Sequence, residues 1–169
     1  MASELQPTSS TETSAGGQQR LTPIHPRDVP DGAFTTRLNV RFSHCDPAGL
    51  VYTPRFIDIV NGVIEDFFIQ ELNINYHDMI HNRGVGLGYA KVDCDFFRPA
   101  FMGDRLAFTP VITHLGRCSA IYSVHCFRAL EEVMRCRLVM VTTSLHTNQA
   151  ISMPTDMKAA LSAYRDNCR

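Results

Sequence analysis

The sequence contains no uninterrupted apolar run of about 18 residues, so nothing in it reads as a membrane-spanning helix. No C-x-x-C pair occurs among Cys45, Cys94, Cys118, Cys126, Cys136 and Cys168. Their spacings match neither a zinc site nor a disulfide framework, which leaves buried or incidental thiols in a reducing compartment. Charge of either sign is not in excess: 16 Lys+Arg face 17 Asp+Glu, a formal net charge of -1. That balance removes any global electrostatic case for nucleic acid or an anionic membrane, so an anion site has to be local. A charged n-region followed by an apolar stretch is missing from the N-terminus. The expected location is the cytoplasm.

Two tempting patterns are incomplete. His77 and His81 are four apart on a short helical stretch, but no Glu occupies the H-E-x-x-H position and no third ligand is evident. No metal site is expected. Gly84, Gly86 and Gly88 do not spell a dinucleotide-binding loop and mark instead a strand start that needs close backbone approach.

What is present is enough for one domain: 169 residues, 44% of them hydrophobic. Residues 1–33 are expected to be a flexible tail, because Ser9–Gln19 is rich in Ser, Thr, Gly and Gln, and Pro23, Pro26 and Pro30 follow. The domain is expected over 34–169. Leu38, Val40 and Phe42 alternate with Arg37, Asn39 and Arg41, the period of a half-buried strand. Asp46-Pro47-Ala48-Gly49 then signals a turn. Thr53 as N-cap and Pro54 as first helical residue open a helix, whose apolar face is Phe56, Ile59, Val60, Val63, Ile64, Phe67 and Phe68. That helix is expected to end near Leu72, with a shorter piece over 76–81 stopped by Gly84. Four strand-like stretches follow, near 86–97, 105–115, 119–130 and 133–147, at hairpin-like spacing. Pro154 opens a last helix ending near Tyr164. One long helix against one antiparallel sheet of about five strands is an α+β solution. Its edge strands need covering, which predicts at least a dimer.

The sharpest chemical feature is Asp46, between a strand end and a helix start. The first helical turn leaves backbone N–H groups unpaired, and the dipole adds positive charge there. Thr53, Arg55 and Phe56 have N–H groups to offer an acyl oxygen, while Pro54 has none. The competing reading is that Asp46-Pro47 is simply an Asx-type turn. Adjacent His44, Cys45 and Asp46 do not make a triad, since Cys45 points away from the other two on an extended chain. His44 is read either as a helper that orients Asp46 or the acyl group, or as a packing residue. Asp58, Asn61 and Glu65 form one polar stripe on the helix, either solvated and subunit-facing or an active-site wall with Glu65 as a second carboxylate. Arg117, in a turn between strands, reads as a solvated cation or a phosphate contact.

Arg41-Phe-Ser-His-Cys-Asp46-Pro-Ala-Gly-Leu-Val-Tyr-Thr-Pro-Arg-Phe56 resembles the opening motif of the 4-hydroxybenzoyl-CoA thioesterase family. Asp95-Phe-Phe-Arg-Pro-Ala-Phe-Met-Gly-Asp104 is similar to the strand-and-turn segment of hot-dog thioesterases. The resemblance covers about residues 34–147. It implies a hot-dog fold, an antiparallel sheet wrapped around one long central helix, and a dimeric catalytic unit, usually in a homotetramer. It implies hydrolysis of an acyl-CoA, aromatic or short to medium aliphatic, with no cofactor beyond the CoA of the substrate. Asp46 falls on the catalytic Asp, and Thr53 on the backbone oxyanion donor. The substrate-binding set expected around them is His44, Gly49, Tyr52, Asn61, Glu65 and Arg117. Asn61 stands where aromatic-acyl members carry an acid, and the phosphate turn keeps only Arg117 of a basic cluster. A hot-dog hydratase or dehydratase and a non-catalytic acyl-CoA-binding module are the alternatives.

Overall fold

The computed structural model describes residues 21–168. Its elements are β1 (Thr36–Asn39), α1 (Thr53–Asp66), α2 (Tyr76–His81), β2 (Val85–Phe96), β3 (Arg105–Leu115), β4 (Ser119–Arg128), β5 (Glu131–Ser144) and α3 (Thr155–Asn167). All strand pairs are antiparallel, in the order β1-β3-β4-β5-β2. The sheet packs against α1, which continues through a π-helical turn at Phe67–Glu71 to a C-cap at Leu72. This is the expected hot-dog arrangement.

Alternation along the strands builds the inner face. Ala120, Tyr122, Val124 and Cys126 of β4 and Met134, Cys136, Leu138 and Met140 of β5 are all buried. They share one core with Phe56, Val60, Val63, Ile64 and Phe67 of α1. Each large apolar side chain withdrawn from water there contributes about 1.5–3 kcal/mol. The Phe67 ring sits edge-on to Tyr122 and Tyr164. One polar atom in this core is orphaned: the Tyr122 hydroxyl is buried with no hydrogen-bond partner among the described residues. An unpaired buried hydroxyl costs about 1–3 kcal/mol. Tyr122→Phe is therefore expected to raise the urea midpoint, by the equivalent of about 1 kcal/mol, with an unchanged slope. A lowered midpoint would mean that the hydroxyl has a partner in solution.

Two expectations are corrected. The first strand stops at Asn39 rather than running through Phe42. Val40 stays buried and exchanges backbone bonds with Gly103 and Asp104, but the chain then tightens into a 3-10 turn at Phe42–His44. The His44 ring accepts from the Arg41 N–H and holds that turn, so Phe42 swings outward and is 83% exposed. The second correction concerns the tail. Residues 1–20 lie outside the described residues, but 21–33 form a strap over the outer face of the sheet rather than a free leader. The Ile24 N–H donates to a Glu132 carboxylate oxygen (2.7 Å), and Arg135 donates to the Thr22 carbonyl (3.1 Å). The strap ends where the Phe34 N–H meets the Tyr164 hydroxyl and Thr35 meets Thr109. No helix among the described residues is long and apolar enough to cross a membrane.

Candidate active site

The segment between the 3-10 turn and α1 closes on itself. The Asp46 N–H donates to the Leu50 carbonyl and the Gly49 N–H to the Asp46 carbonyl. Cys45 bridges Val51, and the Tyr52 N–H returns to the His44 carbonyl at 2.9 Å. Gly49 sits at φ +79°, the left-handed conformation that makes so tight a return possible and that glycine adopts without a Cβ penalty. The loop also docks outward: the Val51 N–H donates to Ala100, the Met102 N–H to Gly49, and Leu50 bridges Phe101. The two segments that carried the family resemblance, far apart in sequence, are thus hydrogen-bonded to each other.

Asp46 is half-buried. Its Oδ1 accepts from the Ala48 N–H (2.9 Å) and the Leu50 N–H (3.3 Å). The Asx turn is therefore real, and it leaves Oδ2 unused by any described residue. Asx turn and catalytic carboxylate are compatible, because the turn fixes one oxygen and frees the other.

The helix begins one residue earlier than expected. Tyr52 is the N-cap, Thr53 the first helical residue, and no side chain caps the end. The Arg55 N–H donates to the Tyr52 carbonyl at 2.7 Å, whereas the Thr53 N–H has no partner among the described residues. Thr53 lines a groove of about 320 Å³ with Leu50, Val51, Phe56, Phe96, Phe97, Arg98, Pro99 and Ala100. The Phe56 and Phe96 rings pack at 5.5 Å. Asp46 is not itself a wall of this groove; Leu50 and Val51 of its loop are. Grooves of about 310 and 500 Å³ along the outer face contain neither Asp46 nor Thr53.

Other candidates fall in different places. His44 turns its Nδ1 toward the Arg41 N–H (3.1 Å) and not toward Asp46. Partial burial, then the Arg41 and Arg55 cations, lower its pKa, so the ring is neutral around pH 7. The Cys45 thiol points to the Arg41 carbonyl, away from any base. Tyr52 is exposed at the head of the helix. Asn61 and Glu65 lie on the solvent face of α1 with Asp58, which pairs with Arg55. Arg117 does not join this cluster within one chain. It occupies the β3–β4 turn, bonded to Ser152 (2.8 Å) beside the C-terminal end of β5, whereas Asp46 is tied to the segment after the C-terminal end of β2. These are opposite ends of the sheet. His77 and His81 stack at 4.2 Å, and no metal-holding group of three His, Cys, Asp or Glu exists among the described residues.

The structure adds groups that were not singled out in advance. Phe96 and Phe97 wall the groove, and their alternation in a strand gave no hint of it. A second cluster is built on Glu132, whose side chain is fully buried, and it backs onto the groove wall, since Arg135 lies over the Phe97 ring at 5.5 Å. Glu132 accepts from Ile24, from His125 Nδ1 at 2.8 Å and from Arg135 through both oxygens. His125 Nε2 reaches Ser123.

A curled five-stranded sheet on one helix, with a docked Asp loop at the helix start, defines a thioesterase-like protein. The chain belongs to the thioesterase-like superfamily, whose pattern matches residues 40–161. Its relatives include a 1,4-dihydroxy-2-naphthoyl-CoA hydrolase of Nostoc punctiforme, 31% identical over half of this chain and 56% of that protein. The enzyme of the same name from Synechocystis is 27% identical over 77% of this chain and 89% of its own. A solved 1,4-dihydroxy-2-naphthoyl-CoA thioesterase from Synechocystis superposes with a TM-score of 0.71 at 22% identity, covering 78% of this chain and 96% of that one. The superfamily is broader than the 4-hydroxybenzoyl-CoA family that the motif resembles, and these relatives carry a different aromatic acyl group in their names.

Proposed function

We propose that this protein hydrolyses an aromatic acyl-CoA to a carboxylic acid and CoA, with Asp46 as the catalytic carboxylate and the Thr53 N–H as the oxyanion donor. The observation that carries this reading is the docking of the Asp46 loop onto the groove that the Thr53 end of α1 opens into. The thioester carbonyl lies over the helix N-terminus, where the unpaired N–H and the dipole stabilise the charge that develops on oxygen. Asp46 Oδ2 either attacks the carbonyl carbon to give a mixed anhydride, which water then cleaves, or takes a proton from the attacking water. In both routes the C–S bond breaks and CoA leaves as a thiolate, a good enough leaving group to need no strong general acid. Nothing in this chemistry calls for a metal or organic cofactor.

Phe56, Phe96 and Phe97 favour a flat acyl group, and the names of the relatives agree. Naphthoyl and hydroxybenzoyl thioesters are the first substrates to try. Asn61, in place of an acid, argues against a pocket selective for a benzoyl hydroxyl. β2 is an unpaired edge twelve residues long. Pairing through it would cover exposed Val92 and Phe96 and give a dimer, on which a tetramer builds. The phosphate role of Arg117 requires such assembly, because within one chain its turn faces the wrong end. The cytoplasm is a compartment where CoA thioesters occur, and it is the location that goes with this reading. The hydratase alternative wants a His facing a carboxylate at the site; His44 faces a backbone N–H there instead, and the His125–Glu132 pair is buried.

The test is thiol release from 1,4-dihydroxy-2-naphthoyl-, 4-hydroxybenzoyl-, phenylacetyl- and short- to medium-chain acyl-CoAs, against an enzyme-only blank for the six native cysteines. The aromatic thioesters are expected to show the highest kcat/KM. Release from none of them, with tight binding, would replace hydrolysis by an acyl-CoA-binding role, and hydration of crotonyl-CoA without thiol release would make it a hydratase.

A further inference from the structure

The hydrolytic reading uses none of the six cysteines, yet two of them are placed as a pair. Cys94 of β2 and Cys136 of β5 stand directly opposite each other in the antiparallel ladder. Opposed residues there have Cα atoms about 4.5–5.5 Å apart, within the roughly 4.4–6.8 Å that a disulfide spans. Both side chains turn to the same face, with the Sγ atoms 2.7 Å apart and joined by a thiol hydrogen bond. Cys136 is fully buried, whereas Cys94 is half-buried on the edge strand. Cys94 is the less enclosed of the two, so a small oxidant that enters along the β2 edge, between the copies where that edge is paired, meets it first, with Cys136 directly behind it. Such a pairing of an accessible thiol with a shielded resolving thiol is what redox-sensitive sites share.

The electrostatics divide the roles the same way. The hydrogen bond between the two thiols holds Cys94 below its ordinary pKa, against burial and the carboxylates of Asp93 and Asp95. The same bond, with burial, pushes Cys136 up. No other sulfur pair occurs among the described residues.

We propose that Cys94 and Cys136 form a reversible thiol–disulfide couple for which hydrogen peroxide is the oxidant. The Cys94 sulfur attacks the peroxide: an S–O bond forms, the O–O bond breaks and one water leaves, giving a sulfenic acid. The Cys136 sulfur then attacks Cys94: the S–S bond forms, the S–O bond breaks, and the departing hydroxide takes the Cys136 proton as a second water. Two thiols are oxidised, and one hydrogen peroxide is reduced. Cys94 lies two residues before Phe96, whose ring packs on Phe56 in the groove wall, so the bond staples the edge strand beside the groove.

The experiment treats the whole native protein with a small excess of hydrogen peroxide, unfolds it, alkylates the remaining thiols and maps the peptides by mass spectrometry. The expected result is loss of two of the six alkylatable thiols, a crosslinked peptide pair containing Cys94 and Cys136, and full reversal by dithiothreitol. Cys136→Ala, which keeps an apolar core side chain, is expected to stop at a Cys94 sulfenic acid trapped by dimedone. Irreversible oxidation of Cys94 without a crosslink in the parent protein, or first reaction at Cys45 or Cys118, would overturn the proposal.

Discussion

Asp46→Asn is expected to fold and assemble like the parent and to lose about 10²–10⁴-fold in kcat on the best aromatic thioester. The reason lies in how the two carboxylate oxygens are used. Oδ1 accepts from the Ala48 and Leu50 N–H groups, and the asparagine carbonyl reproduces that acceptor, so the turn survives. Oδ2 is lost, replaced by a neutral amide that is neither nucleophile nor base. Asp46→Ala is a poorer probe, because it also releases the two N–H groups and loosens the loop. The oxyanion partner has its own test. Thr53→Ala keeps the backbone N–H and is expected to keep turnover, whereas Thr53→Pro deletes it and is expected to cost about 10²–10³-fold. Proline is tolerable there because Thr53 is the first helical residue and Tyr52 already has the extended conformation a following proline demands. Near-parental kcat in a well-folded Asp46→Asn would remove Asp46 from the chemistry and leave Glu65, on the solvent face of α1, as the carboxylate to examine.

Much of this arrangement was legible in the chain, for identifiable reasons. The inner positions alternate from Ala120 to Cys126 of β4 and from Met134 to Met140 of β5, and Pro54 marks the start of α1 to within one residue. Turn chemistry at Asp46–Gly49, followed by a helix start at Thr53-Pro54, pointed to the proposed carboxylate and donor before any fold was known. The failures share one cause, which is that partners distant in sequence leave no local period. Phe42 continues the Leu38–Val40 alternation, yet the His44 ring bends the chain before it. The prolines and polar residues of 21–33 read as a tail, because their anchor, Glu132, lies 108 residues from Ile24. Arg117 reads correctly as a turn residue, but one sequence does not tell which end of a sheet a turn occupies relative to another loop.

Glu132 is where the largest loss of stability is expected. Its side chain is fully buried at the centre of His125, Arg135 and the Ile24 N–H. Burial alone would push the carboxyl up; the Arg135 guanidinium, the Ile24 N–H and His125 outweigh that and hold it below its ordinary value. Glu132→Ala strands three donors at once, Arg135 among them with little solvent to turn to. Breaking such a buried pair from one side costs about 3–5 kcal/mol. Glu132→Gln keeps an acceptor and is expected to cost less. Because the strap hangs on this carboxylate, the Ala variant is also expected to expose Arg27 to rapid tryptic cleavage, while the parent resists. The acid response separates the groups further. Burial lowers His125 against the opposing pull of Glu132, so its folded pKa lies below the ordinary 6.5. An unfolded chain binds more protons in that window, and stability falls as the pH drops below 6.5. Glu132 is likewise depressed, so its own share is lost below 4.5. The thermal midpoint of the parent is thus expected to decline in two stages on acidification. In Glu132→Ala the upper stage persists and the lower one shrinks to what remains from Asp156, which the Arg83 guanidinium holds down at about 2. If Glu132→Ala unfolds at the parental urea concentration with its strap still protected, then the strap is held by packing alone, and the carboxylate at its root is dispensable.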